Sequence, residues 1–275
     1  SLYTNREPSS PQDPSPVYNR RTMPNKKRGQ LGPSRKKPVS HFMNLPAAKL
    51  PMDKIKSMTS DFRSSMNWRV FRIIAEFIDG FQYIADFKKT VTIFGSTRLI
   101  ETNHWYVEAR KLGKLLAKNG FVVVTGGGPG IMEAGNRGAV EGGGISVGLN
   151  IQLPHEQRVN PYVKRSMGFH YFFTRKLMLT YASEAYVYFP GGYGTLDEFF
   201  EMVTLVQTKK IATHIPIVLV GKEFWQPFAR WIDKELYEKF RTIEKADMKI
   251  YDIVDSAEEA FQIIKKRAKP RNEFQ

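Results

Sequence analysis

The sequence contains no cysteine among its 275 residues. Disulfide bonds, thiolate zinc sites and cysteine nucleophiles are therefore excluded. The composition fits a reducing compartment, so we expect a cytoplasmic protein. The five histidines are scattered without an HExxH or other tight pair, so we expect no metal and no other cofactor. No window approaches the roughly 18 uncharged apolar residues that cross a bilayer, and the N-terminus lacks the apolar core of a signal peptide, so we expect no membrane contact.

Positive charge is abundant and unevenly distributed. The formal net charge is +15, which predicts an anionic partner such as a phosphate, a nucleotide or a nucleic acid. Residues 1–40 hold nine Lys or Arg against two acids, and nine of the 16 prolines lie in residues 1–51. Such a segment buries too little apolar surface to offset its ordering entropy. We predict a flexible basic tail over 1–55, through which any nucleic-acid contact would run, although a solvated tail is the simpler interpretation.

The remainder, residues 56–270, is predicted to form one domain. Apolar residues at three- and four-residue steps predict an amphipathic helix over 58–87, broken near Gly80, that packs on the domain or on a second subunit. From residue 91 apolar strands alternate with helices. The predicted strands are 91–94, 121–124, 145–149, 185–189, 217–220 and 250–253, and the predicted helices are 105–118, 132–140, 174–182, 196–208, 224–240 and 257–266. This pattern predicts an α/β fold, a Rossmann-like doubly wound parallel sheet with helices on both faces.

Three predicted strands end in loops of small residues, at 95–98, 126–130 and 190–195. Backbone N–H groups at a following helix start can hold a phosphate, with help from the helix dipole. Three such loops at one sheet edge favour a phosphate-bearing ligand over mere tight turns. The P-loop pattern is absent, and the dinucleotide fingerprint fails at Ile131 and at Asn150, where a small residue and a ribose-binding acid are expected. A mononucleotide or sugar phosphate therefore fits better than NAD.

Two groups near these loops carry reactive or charged side chains. Glu198 is predicted on the first turn of the helix after the third loop, facing the same pocket, whereas Asp197 points about 100° away. Arg175 and Lys176 open the preceding helix, where two cations are unfavourable with respect to the dipole and invite an anion. Taken singly, each also fits a surface pair or a helix-stabilising carboxylate. The aromatic run 171–173 is predicted to belong to the core rather than to stack on a base.

These motifs together resemble those of a known family. The segments GGGPGIMEA at 126–134, Arg175-Lys176 and PGGYGTLDE at 190–198 are similar to the signature of the LONELY GUY family. Its members are cytokinin riboside 5'-monophosphate phosphoribohydrolases, formerly labelled lysine decarboxylases. The resemblance covers about residues 65–267. The GGGPGIMEA form, the loop at 153–157 and the leading helix resemble the longer bacterial-type branch.

The resemblance implies roles for individual residues. Arg175 and Glu198 match the pair that carries catalysis, and Gly191, Gly192, Gly194 and Thr195 match the segment that holds the 5'-phosphate. The rest of the substrate site is implied to include Gly127, Gly128, Gly130, Met132, Glu133 and Lys176. Gly95 and Ser96 are predicted to join it because they lie in the first loop. The implied substrate is an AMP-like nucleoside 5'-monophosphate, and the implied assembly is a homodimer or larger homo-oligomer. Lysine decarboxylation is rejected, because no pyridoxal-binding constellation surrounds Lys176.

A binding module from a different functional class stays open as an alternative. Similar folds serve as nucleotide sensors, molybdenum-cofactor carriers and DNA-processing proteins, and fold alone does not decide among them. A carrier needs the pocket without the Arg–Glu pair, which this sequence retains. A nucleic-acid protein would use the basic tail and bind in a salt-dependent manner.

Overall fold

The computed structural model describes residues 66–152 and 159–269. The predicted basic tail, the first residues of the predicted N-terminal helix and the loop at 153–157 lie outside the described residues. None of the helices in the described ranges combines the length and apolar character needed to cross a membrane.

The described residues form one parallel sheet with helices on both faces. The strands are β1 (Thr90–Phe94), β2 (Val122–Thr125), β3 (Ser146–Ile151), β4 (Arg165–Phe169), β5 (Ala185–Tyr188), β6 (Ile217–Val220) and β7 (Asp252–Val254). The helices are α1 (Met66–Ala85), α2 (His104–Lys118), α3 (Ile131–Glu141), α4 (Phe172–Tyr181), α5 (Tyr193–Gln207), α6 (Lys222–Trp231) and α7 (Ala257–Arg267). The strand order is β4-β3-β2-β1-β5-β6-β7, and every neighbouring pair is parallel. This confirms the predicted doubly wound fold.

Alternation along the strands divides the core between the two faces of the sheet. On β2, Val123 joins the cluster that includes side chains of α2, α3 and α7. Its neighbours Val122 and Val124 join the opposite cluster, which includes side chains of α1, α4, α5 and α6. Successive side chains of a strand point to opposite faces, so a continuous apolar run fills both layers. Polar side chains of the central strands, such as those of Thr92 and Thr125, form hydrogen bonds with other buried side chains.

Several helix ends follow from the local sequence. Asn103 caps α2, accepting a hydrogen bond from the N–H of Trp105 at 2.9 Å, and Gly120, with φ of 79°, follows its last turn. Ser256 caps α7 in the same manner through the N–H of Glu259. These are the residue types that satisfy the unpaired backbone groups of a helix end. The predicted helix 224–240 is continuous, but its second half, Ile232–Lys239, is a π-helix.

Two predictions about the fold are wrong, and one strand was not predicted. α1 runs without a break through Gly80, which is buried against Met178 of α4. β4 was not predicted, because its sequence RSMGF is a short edge strand with mostly exposed residues rather than an apolar run. Phe172 and Phe173 are not core residues, since 58% and 52% of their surfaces are exposed.

Candidate active site

The three glycine-containing loops lie at the carboxyl ends of β2, β1 and β5, which are adjacent in the sheet. Backbone hydrogen bonds join the loops to one another: the N–H of Ser96 donates to Pro190 O at 3.0 Å, and the N–H of Ile131 donates to Ser96 O at 3.0 Å. β1 is central to this arrangement, because the chain winds away from it in both directions. Ligands of doubly wound folds bind at this switch point.

Two glycines of the second loop have backbone conformations that other residues rarely adopt. Gly127 and Gly130 have φ values of 73° and 70°, in the left-handed region that favours glycine. A Cβ atom at position 127 would overlap Asn150 Oδ1, and one at position 130 would overlap the carbonyl oxygen of Ser96. The loop therefore follows its path because both positions lack a side chain.

A buried network of polar side chains holds this loop from beneath. Asn160 Nδ2 lies 3.2 Å from Gly127 O, 3.0 Å from Gly128 O and 2.9 Å from Asn136 Oδ1. Asn136 also accepts a hydrogen bond from Thr125 Oγ1 at 2.7 Å and donates one to the Ser146 hydroxyl at 2.7 Å. Buried polar groups are stabilising when their hydrogen bonds are satisfied, as here. Sequence reasoning missed both asparagines, because neither belongs to a glycine motif.

Arg175 is in the first turn of α4 and its guanidinium reaches back to the sheet. Nε donates to the carbonyl of Leu149 in β3 at 2.7 Å. Nη2 lies so close to Gly126 that a Cβ atom there would overlap it, and the guanidinium carbon is 5.8 Å from the centroid of the Phe172 ring. Burial lowers the pKa of Arg175, while the charge of Glu198 raises it.

Glu198 is buried at the neighbouring helix, with 8% of its surface exposed. The prediction that it lies on the first turn is wrong: α5 begins at Tyr193, inside the PGGYGT motif, so Glu198 falls on the second turn. Burial raises the pKa of Glu198 to about 7, and the charge of Arg175 opposes this increase. A buried carboxyl beside an arginine can gain or lose a proton near neutral pH.

Lys176 faces two further carboxylates of α5. Its Nζ lies 2.7 Å from Asp197 Oδ1 and 3.4 Å from Glu201 Oε2. Asp197 is half exposed and contacts Lys176. The sequence predicted that it points away from Glu198 but did not predict this contact. Burial raises the pKa of Glu201, and Lys176 opposes that shift. The ion pairs of Lys176 join α4 to α5, and Arg175 and Glu198 interact through their charges.

The third loop leads directly into α5. Its N-cap residue Gly192 has no side chain with which to cap the helix, and the open space beside the Cα atoms of Gly192 and Gly194 leaves the backbone accessible. Thr195 is buried, and a Cβ atom at Gly191 would overlap its hydroxyl. The first N–H groups of an α-helix have no intrahelical partner and attract anions.

The other predicted site residues lie around the first two loops. Gly95 packs against Ile131, where a Cβ atom would lie 2.7 Å from a side-chain carbon. Ser96 Oγ accepts a hydrogen bond from the N–H of Arg98 at 3.1 Å. Met132 covers the second loop, with its Cε 2.6 Å from the place of a Cβ atom at Gly128. Glu133 instead contacts α2, accepting a hydrogen bond from the Tyr106 hydroxyl at 2.9 Å.

Comparisons with known proteins identify relatives of this chain. The family model described as "Possible lysine decarboxylase" matches residues 132–264. A probable cytokinin riboside 5'-monophosphate phosphoribohydrolase of Oryza sativa subsp. japonica is 33% identical over 141 residues, which cover 50% of this chain and 56% of the rice protein. An uncharacterized protein of Archaeoglobus fulgidus is 30% identical over 116 residues, covering 42% of this chain and 74% of that protein.

A solved structure shares the fold. The molybdenum cofactor carrier protein of Chlamydomonas reinhardtii superposes with a TM-score of 0.50 at 20% sequence identity, covering 64% of this chain and 96% of the carrier. Identity at this level bears on the fold alone. The chain spans about half the length of the rice relative that it matches. The family match, the relatives and the motifs agree, which confirms the resemblance of this chain to the LONELY GUY family.

Proposed function

We propose that this protein hydrolyses the N-glycosidic bond of a purine nucleoside 5'-monophosphate, releasing the free base and ribose 5-phosphate. The observation that carries the proposal is the buried Glu198, with a pKa raised to about 7, interacting with Arg175 beside the glycine loops. The rice relatives, which this chain matches over about half of their length, are named cytokinin riboside 5'-monophosphate phosphoribohydrolases. Their names support the same class of reaction.

The nucleotide is proposed to lie across the three loops. Its 5'-phosphate would accept hydrogen bonds from backbone N–H groups at the start of α5, at Gly191, Gly192, Gly194 and Thr195. The glycine loop after β2 and Met132 would contact the ribose or the base. Binding energy from the phosphate, which is distant from the breaking bond, would orient the sugar over Glu198.

The proposed chemistry is that of a glycosidase. As the bond from C1' to the base breaks, positive charge develops on the ribose ring, as in an oxocarbenium ion. The Glu198 carboxylate stabilises this charge and accepts a proton from the water molecule whose oxygen bonds to C1'. Arg175 orients Glu198 and holds a ribose or phosphate oxygen with its planar guanidinium. Arginine stays charged and is a poor acid, so the base takes its proton from solvent or from another group.

The test is a direct identification of products. The purified protein is incubated with AMP, GMP, CMP, a prenylated AMP and, separately, lysine, and the products are separated by chromatography. We expect free purine and ribose 5-phosphate in equal amounts and no product from lysine. The activity of the variant Glu198→Gln is compared with that of Glu223→Gln. The second variant is the control, because it removes an exposed carboxyl of α6. Absence of free base from every nucleotide would refute the proposal.

The tail and the assembly are separate parts of the proposal. Deleting residues 1–50 should leave hydrolysis intact. If the protein instead functions by binding nucleic acid through the tail, the same deletion should abolish that binding. The homodimer or larger assembly implied by the family resemblance is measured by light scattering of the eluting protein. A carrier-type binding module would bind nucleotide without turnover, and retention of both Arg175 and Glu198 favours the enzyme.

A further inference from the structure

The helix that carries Arg175 begins in an electrostatically unfavourable manner. α4 starts at Phe172, and its N-cap residue Tyr171 makes no capping hydrogen bond with its side chain. No acidic residue is present in its first turn, which instead holds Arg175 with Lys176 immediately after it. Cations near a helix N-terminus oppose the helix dipole, and the first N–H groups need partners. Contacts from outside α4 are therefore needed to stabilise its first turn.

The carboxylate of Glu76, on α1, contacts the residues at the start of α4. Oε1 accepts a hydrogen bond from the backbone N–H of His170 at 2.7 Å, and Oε2 accepts one from the N–H of Tyr171 at 3.3 Å. Thr174 Oγ1, one residue before Arg175, lies 2.6 Å from Oε2. One carboxylate thus contacts both residues that lead into α4 and a hydroxyl in its first turn, at the helix end where the dipole favours an acidic group.

The packing of α1 fixes the position of this carboxylate. Glu76, Gly80 and Ile84 are spaced by four residues and share one face of the helix. Gly80 allows close approach to α4, since a Cβ atom there would lie 2.6 Å from Met178 Sδ, and Ile84 is buried in the core. The rings of Phe81 and Tyr181 meet edge to face at 6.1 Å between centroids. α1 is therefore anchored against α4 over the turns that follow Glu76.

We propose that Glu76 is a positioning residue for Arg175, an inference that rests on the proposed function. Arg175 is held at two points: Leu149 O fixes its guanidinium, and Glu76 fixes the backbone turn from which its side chain extends. The N-terminal helix thereby acts on the reaction without contacting the nucleotide. Removing Glu76 allows the start of α4 to move, and Arg175 then orients Glu198 less accurately.

The test compares Glu76→Ala and Glu76→Gln with Asp79→Ala, which removes an exposed carboxylate from the same helix. Misplacement of a catalytic group by about 1 Å can slow a reaction about 100-fold. We therefore expect Glu76→Ala to lower kcat by about 10- to 100-fold with little change in KM. Glu76→Gln retains the shape and one acceptor, so its loss should be smaller, and Asp79→Ala should match the wild type.

A purely structural role is distinguished by a double-variant cycle. In an Arg175→Lys background the guanidinium is already absent, so Glu76→Ala should lower kcat by much less than it does in the wild type. Equal fold-losses in the two backgrounds would overturn the proposal. So would a wild-type kcat in Glu76→Ala.

Hydrogen exchange tests the structural half independently of activity. Amides of the peptide covering residues 169–176 should exchange faster in Glu76→Ala than in the wild type, and Asp79→Ala should leave them unchanged. This measurement needs no substrate, so it separates the two failures: a wild type without hydrolase activity refutes the proposed function, whereas unchanged exchange in Glu76→Ala refutes the positioning role.

Discussion

Replacing Glu198 by glutamine should make the protein more stable at alkaline pH, because the wild-type carboxyl is buried where its charge is unfavourable. The pKa of Glu198 rises from 4.5 to about 7 on folding. The folded state therefore binds a proton more tightly than the unfolded state. For a carboxyl of this kind, the stability present below the unfolded pKa is lost as the pH rises toward the folded pKa.

The size of this effect follows from the shift. At about 1.4 kcal/mol for each pKa unit, the shift of Glu198 corresponds to about 3 kcal/mol of stability lost between pH 4 and pH 8. Glutamine is close in shape to the protonated acid and does not titrate. The difference in free energy of unfolding between Glu198→Gln and the wild type should therefore grow by about 3 kcal/mol in favour of the variant over that range.

The assay is urea denaturation of both proteins at a series of pH values, monitored by circular dichroism. Glu223→Gln removes an exposed carboxyl and serves as the control, for which we expect no comparable trend. A difference between Glu198→Gln and the wild type that stays constant from pH 4 to pH 8 would refute the assignment of a raised pKa to Glu198. A variant that is more stable but inactive would show that the buried Glu198 carboxyl lowers the stability of the protein while it is needed for the reaction.

Three further outcomes are expected. Because Glu198 acts as a carboxylate with a pKa of about 7, kcat/KM for AMP should fall as the pH drops below about 7; a flat profile between pH 5 and pH 8 would contradict this role. Asn160→Ala leaves the carbonyls of Gly127 and Gly128 without these donors and should lower the free energy of unfolding by about 1–3 kcal/mol, measured in urea. Gly127→Ala should destabilise by about 1–3 kcal/mol through its positive φ, and by more than Gly143→Ala, which has a similar φ but open space; equal losses would argue against the contact with Asn150.

The parts of the fold that the sequence predicted are those with local signals. Strands such as Ile217–Val220 are continuous apolar runs, and a run of this kind between helices indicates a buried parallel strand. β4 has no such run, because it lies at the sheet edge and only Phe169 is buried. The start of α5 was placed three residues late, because glycine, which has low helix propensity, occupies both the N-cap position (Gly192) and the first turn (Gly194).

The candidate site was predictable to the extent that short motifs encode it. The motifs identify Arg175 and Glu198, and the helices that carry them, α4 and α5, pack on the same face of the sheet. Asn160 and Glu76 were not predictable in this way. Asn160 supports Gly127 from 33 residues away, and Glu76 contacts His170 across 94 residues. Such contacts follow from packing between distant segments, which no local pattern records.

The proposed catalytic role of Glu198 is tested most directly by comparing nucleotide binding with turnover in Glu198→Ala. Titration calorimetry with AMP measures the affinity of the wild type and the variant, and chromatography measures ribose 5-phosphate from the same samples. We predict that the variant binds AMP with an affinity close to that of the wild type but releases no ribose 5-phosphate. Wild-type release of ribose 5-phosphate by Glu198→Ala would contradict it.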